Sequence, residues 1–218
     1  MKAKELIALV NSGEGLTVEF KRHFSSYEKI AKEIIAFTNT KGGYILFGID
    51  DDKSVYGVDS EKGEAELIKI SAEQYCEPPV KYEIEYINVY DKEIVVLKIP
   101  ESENKPHRLQ DYSAKFNIST AQVFIRINDK SVPAGKEMIK IMQAKKSQLE
   151  LRKYEIGKNE KIVFDYLDKN ESISVKVLSE IANLSHRRAS RTLIKLVRAK
   201  LLLIHTKDNG ENYFSNSS

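Results

Sequence analysis

The chain has 218 residues, 41% hydrophobic and 31% charged, with a formal net charge of +3, the make-up of an ordinary globular protein long enough for one large domain or two small ones. No run of about 18 apolar residues is present, which excludes a helical membrane span, and the lone Cys76 excludes an internal disulfide or a cysteine zinc cluster. The start also lacks a signal-like apolar stretch, so the expectation is a cytoplasmic protein with no membrane partner.

Leu6, Ile7, Leu9 and Val10 predict a short helix that ends in the turn-rich stretch 11–15. Leu16, Val18 and Phe20 then alternate with polar residues, the period of a half-buried strand. Ser25, Ser26, Tyr27 and Glu28 fit a capping box, and Ile30, Ala31, Ile34, Ile35 and Phe37 continue it at helical spacing up to Asn39. After Gly42-Gly43 the apolar run 44–49 predicts a buried strand, which stops at Asp50-Asp51-Asp52. A helix is expected near 64–74, a break at Pro78-Pro79, strands at 81–89, 94–99 and 123–127, and a charged helix from 135 to about 154.

From residue 158 the spacing predicts three helices, a short strand at Ile173 and Val175 after the first of them, and a closing hairpin. Asp208-Asn209-Gly210 carries the turn signal of that hairpin, and Ser185 is the expected N-cap of the third helix. This order describes a winged helix-turn-helix. Charge follows the same division. Residues 1–143 hold 20 Lys+Arg against 23 Asp+Glu, a net of −3, whereas 144–218 hold 15 against 9, a net of +6. At about 100° per residue, Arg187, Arg188, Arg191, Lys195 and Arg198 share one side of the helix 186–199. Ala189, Leu193, Leu196 and Val197 share the other. Residues 186–200 contain no Asp or Glu. Arginine forks suit base edges and phosphates, so this face is a candidate reader of nucleic acid. Ser185 and His186 stand at the helix start, and Lys207 on the hairpin is within reach of an adjacent phosphate.

Three motifs in the N-terminal part carry a family resemblance. They are Gly13-Glu14-Gly15-Leu16-Thr17-Val18-Glu19-Phe20-Lys21, then Ala36-Phe37-Thr38-Asn39-Thr40-Lys41-Gly42-Gly43 running into Gly48-Ile49-Asp50-Asp51, and Phe124-Ile125-Arg126-Ile127 with its following turn. In this order they resemble the Schlafen-like, AlbA-type domain, a family described as DNA-binding. The resemblance covers about residues 5–143 and implies an α+β fold. The expected organisation is a Schlafen-like domain at 1–143, a helical connector at 144–157 and a winged helix-turn-helix at 158–218.

The resemblance also carries an enzymatic implication. In animal members of the family, carboxylates at the positions of Glu14, Glu19 and Asp51 hold a divalent metal for RNA cleavage. Mg²⁺ or Mn²⁺ would suit three oxygen donors, and Lys21 would steady phosphate charge. Against this, the chain has none of the animal proteins' His/Cys zinc cluster and only one copy of the lobe that they carry twice, which suggests a homodimer. No G-x-x-x-x-G-K-[ST] loop is present, since Gly135-Lys136 runs into Glu137. The leading expectation is a DNA-binding transcriptional regulator acting as a dimer on duplex DNA, with RNA as another target and no cofactor required. The alternative is a metal-dependent endonuclease built on the Glu/Glu/Asp cluster.

Overall fold

The computed structural model describes residues 1–113, 115–146 and 156–217. It divides into two compact units, Met1–Pro133 and Ala134–Ser218.

The first unit is a mixed α+β structure. Its elements are α1 (Ala3–Ser12), β1 (Val18–Lys21), α2 (Tyr27–Asn39), β2 (Gly43–Phe47), α3 (Glu61–Gln74), β3 (Cys76–Glu77), β4 (Glu83–Val89), β5 (Lys92–Ile99), β6 (Arg108–Leu109), β7 (Phe124–Ile127) and β8 (Lys130–Pro133). Four strands form a sheet in the order β1-β2-β5-β4. β1 and β2 run parallel around the α2 crossover, and β5 and β4 continue antiparallel. Ile45, Phe47, Val95 and Leu97 pack with α2 and α3 residues in one core. Leu46, Ile94 and Val96, one position out of phase, pack with Leu6 and Val10 of α1 in another. A strand buried on both faces has no polar alternation, which is why 44–49 reads as a continuous apolar run.

The elements expected in this unit are present, with bounds shifted by a few residues. The helix expected near 64–74 starts earlier, because the Ser60 hydroxyl accepts the Gly63 amide hydrogen and caps it there. The short pair β3–β6 joins segments about thirty residues apart, which local periodicity does not reveal, whereas β7–β8 is a tight hairpin turning at Asn128-Asp129. At the end of α2, Asn39 is 3% exposed, donates to the carbonyls of His107 and Phe124 at 2.8 and 3.0 Å and accepts from the His107 amide at 2.8 Å. This one side chain ties the helix end to β6 and β7, a structural reason for the asparagine of the second motif.

The second unit contains α4 (Lys136–Lys146), α5 (Lys158–Leu167), α6 (Val175–Ile181), α7 (His186–Arg198), β9 (Leu202–Thr206) and β10 (Asn212–Asn216). Val163, Leu178, Leu193, Leu196 and Phe214 form its core. Ile173 adds a single bridge to Phe214 beside the β9–β10 hairpin. Val175, expected in a strand with Ile173, instead opens α6 behind the Ser174 cap. Within the hairpin turn only Gly210 takes a positive φ, of 84°.

The expected boundary at 143 moves. The compact units part after Pro133, so α4 groups with the C-terminal helices. Glu137 accepts from the Ser190 hydroxyl at 2.8 Å and from the Asn212 amide at 3.4 Å, and Lys140 donates to Ser190 at 3.1 Å. These bonds fasten α4 to α7 and to the hairpin. Most of the connector expected at 144–157, and the end of the helix expected to reach about 154, lie outside the described residues.

The close helix-to-strand turn depends on Gly42 and Gly43, at φ 69° and 152°. A Cβ at Gly43 would meet the Phe37 ring at 2.7 Å, and one at Gly42 would meet the Glu101 amide at 2.8 Å. Gly42→Ala and Gly43→Ala should each cost about 2 kcal/mol or more, read as a lowered midpoint in urea denaturation. A midpoint within error of the parent's would refute the crowding argument.

Candidate nucleic-acid interface

The carboxylates singled out in the first unit have structural partners. Glu19 is 7% exposed on β1. One of its oxygens takes the Lys21 ammonium, and the other accepts from Arg126 Nη1 at 2.8 Å. Glu14 is exposed, but its Oε1 accepts the Phe20 amide hydrogen at 2.8 Å. Partial desolvation raises its pKa, the Phe20 hydrogen bond opposes that rise, and the nearby Glu19 and Asp51 charges add to it. Glu14 therefore lies within electrostatic reach of both other predicted carboxylates.

Asp51 is exposed in a tight turn, where its amide donates to Asp50 Oδ1 at 3.0 Å. In the same turn the Ser54 hydroxyl and amide hold Asp52 below the usual aspartate range. Next to it Arg22 approaches Asp50 at 3.6 Å and stacks on Tyr56 at 3.8 Å.

This donor set does not fit a divalent metal as placed. Both Glu19 oxygens already hold cations, and Glu14 is committed to a backbone amide. Among the described residues no group of three His, Cys, Asp or Glu has metal-holding spacing.

Arg126 is the centre of this cluster. Its side chain is fully buried. Besides Glu19 it donates to Glu33 at 3.2 Å, Ser131 at 3.3 Å and the Gly15 carbonyl at 2.7 Å. Its guanidinium lies 4.6 Å from the Phe37 ring centre. β1, α2, β7 and β8 thus meet on one side chain. Burial, then the Glu19 charge, pushes Glu33 above the ordinary glutamate range, while Ser131, Lys21 and Arg126 oppose the rise. Glu33 and Ser131 escape notice in the sequence. The one signal is a charged residue inside the apolar α2 pattern, Glu33 beside Ile34 and Ile35, on the helix face that turns toward Arg126.

The second unit presents its cations outward. Arg187, Arg188, Arg191 and Lys195 are exposed on α7, and Arg198 is half-buried. The first four form no ion pair with Asp or Glu among the described residues. Ala189, Ser190, Thr192, Leu193, Ile194 and Leu196 are buried, an arc of roughly 200° at helical spacing. The buried face is wider than the apolar spacing predicts: it takes in Ser190, Thr192 and Ile194, and Val197 is only partly buried. Ser190 is held by α4, which is absent from a three-helix reading. Ser185 caps α7 by accepting from the Arg188 amide at 3.4 Å, and His186 is exposed at the first turn. Lys207 is exposed on the hairpin and lies 3.8 Å from Glu211.

Comparison with known proteins places the first unit in context. The family described as Schlafen, AlbA_2 matches residues 14–135. A Ureaplasma parvum protein named as an uncharacterized ATP-binding protein is 30% identical over 136 residues, covering 54% of this chain and 38% of that protein. The chain therefore matches well under half the length of that curated relative. Among solved structures, the N-terminal domain of a RecG-related protein from Nitrosomonas europaea is 21% identical. It aligns with a TM-score of 0.44 over 54% of this chain and 86% of that one. The DIP2311 protein from Corynebacterium diphtheriae is 14% identical, with a TM-score of 0.47 over 98% of this chain and 39% of that one.

Two outcomes follow from the buried cluster. Arg126→Met leaves Glu19 and Glu33 without their shared cation and should cost about 3–5 kcal/mol in urea denaturation. Arg126→Lys should recover only part of that, since one ammonium cannot serve the carboxylates and the Gly15 carbonyl together. A carboxyl whose folded pKa lies above its unfolded one contributes stability below the ordinary glutamate range and loses it as pH rises through the raised value. Glu33→Gln should therefore flatten the fall in stability across mildly acidic pH, and a slope equal to the parent's would clear Glu33 of that role.

Proposed function

The chain belongs to the Schlafen, AlbA_2 family through residues 14–135, and from that premise we propose that it is a nucleic-acid-binding protein that grips duplex DNA with α7. The observation that carries this reading is the exposed row Arg187, Arg188, Arg191 and Lys195 on a helix whose other faces are buried. An outer helix face that only keeps a protein in solution mixes charge signs, whereas this one is entirely cationic. In this reading the second unit is a winged helix-turn-helix, with α6 and α7 as its helix pair and β9–β10 as its wing. Ser185, His186 and Arg187 meet the groove first, Arg188, Arg191, Lys195 and Arg198 follow along the phosphates, and Lys207 touches the backbone from the wing.

The protein would act as a cytoplasmic transcriptional regulator, with two copies supplying two reader helices to a two-fold site. No described helix is long and apolar enough to cross a membrane. Duplex DNA is favoured over RNA because a major groove of B-form width admits a helix, and the deep, narrow groove of A-form RNA does not. DNA binding of this kind uses no cofactor. Cleavage is not part of the reading, because Glu19 and Glu14 are committed to Arg126, Lys21 and the Phe20 amide. The ATP-binding name of the Ureaplasma protein stays with that protein, since this chain has no phosphate-binding glycine loop.

The test is fluorescence anisotropy on a random duplex pool across a salt series. Affinity should fall steeply with salt. Arg187→Ala combined with Arg191→Ala should weaken binding about tenfold or more and reduce the slope of log K against log salt by about 2. Binding equal to the parent's would show that α7 is not the contact.

A further inference from the structure

The two edges of the four-stranded sheet are treated differently. β1 forms one edge and β4 the other. At β1 the Phe20 amide is taken by Glu14, and the Val18 carbonyl accepts from the Gly15 amide at 3.0 Å and Arg126 at 3.5 Å. Side chains and a tight turn therefore close that edge. β4 receives no such cover. Its seven residues keep an unbroken antiparallel register with β5. Among the described residues, no hydrogen bond joins its backbone to anything except β5.

An uncovered edge strand exposes a row of amides and carbonyls that templates another strand, and proteins normally blunt it with proline, lysine or a bulge. β4 reads Glu83-Ile84-Glu85-Tyr86-Ile87-Asn88-Val89, with no proline, lysine or bulge, and its two charges are paired within the chain, Glu83 with Lys98 at 2.9 Å and Glu85 with the Met1 ammonium. Tyr86, at its centre, is 50% exposed.

We propose that β4 pairs antiparallel with β4 of a second copy, about a two-fold axis at Tyr86, to make one eight-stranded sheet. The charge pattern selects this partner and direction. Both acidic residues lie in the first half of the strand. Antiparallel pairing about Tyr86 sets Glu83 opposite Val89 and Glu85 opposite Ile87, whereas parallel pairing would stack like charges. The two Tyr86 rings meet as a cross-strand aromatic pair. A two-fold contact of this kind uses up the open edge on both copies and closes the assembly at two. The inference supplies a surface for the dimer in the reading above and rests on that reading only for its purpose.

Directly opposed residues in an antiparallel pair lie about 4.5–5.5 Å apart at Cα, within disulfide reach. Tyr86→Cys should therefore oxidise to a covalent dimer on a non-reducing gel, and Glu83→Cys, opposite Val89, should not. Cys76 is buried, with its thiol pushed up by desolvation, and stays out of the reaction. In sedimentation the parent should be a dimer at high micromolar concentration, and Tyr86→Lys a monomer with the parent's circular dichroism. A monomeric parent, equal cross-linking of both cysteine variants, or a dimer that survives Tyr86→Lys would overturn the proposal. Each readout is chain association alone, so failure here leaves the duplex-binding test of α7 standing, and failure there leaves this one standing.

Discussion

One buried guanidinium organises the first unit. Arg126 has no exposed side-chain surface, yet it carries a full charge into a region packed by Phe37 and the base of β1. Such a charge is tolerated only when it is paired and hydrogen-bonded. Glu19 and Glu33 supply the pairing, and Ser131 and the Gly15 and Val18 carbonyls supply further acceptors. Because these partners come from separate elements, meeting the needs of one arginine positions β1, α2 and β8 together. Its Nε–H is buried without a partner among the described residues, which leaves the cluster one acceptor short.

That constraint changes the meaning of the acidic motif. Glu14 and Glu19 stand where family resemblance places metal ligands, and they do converge. One Glu14 oxygen is nevertheless engaged in closing an edge strand, and both Glu19 oxygens hold cations. Carboxylates engaged in this way serve the fold first. Among the described residues the opposite edge of the same sheet has no equivalent cover, and this contrast is the basis of the pairing proposed for β4.

The second unit follows a different logic. α7 is amphipathic: Ala189, Ser190, Thr192, Leu193, Ile194 and Leu196 are buried, while Arg187, Arg188, Arg191 and Lys195 are exposed. α4 contributes to that burial through the Glu137–Ser190 bond, and Glu137 reaches the hairpin through Asn212. The cationic ridge is therefore held by a small polar network in addition to the apolar core. Lys207 differs from the exposed helix cations in having a carboxylate, Glu211, across its own turn.

Most elements were legible in the sequence because they depend on local physics. Alternation marked β1, helical spacing marked α2 and α7, serine caps marked helix starts, and charge phase alone located the cationic face of α7. The mixed α+β class and the family followed from motifs in order. Contacts between residues far apart in the chain were not legible. Arg126 lies 107 positions from Glu19, and Ser190 lies 53 from Glu137. No periodicity encodes such pairs, since their geometry exists only after the chain has closed on itself. For that reason the sequence named the carboxylates, and tertiary packing alone decided that they bind an arginine and a backbone amide, that α4 belongs with α7, and that β4 is the edge left open.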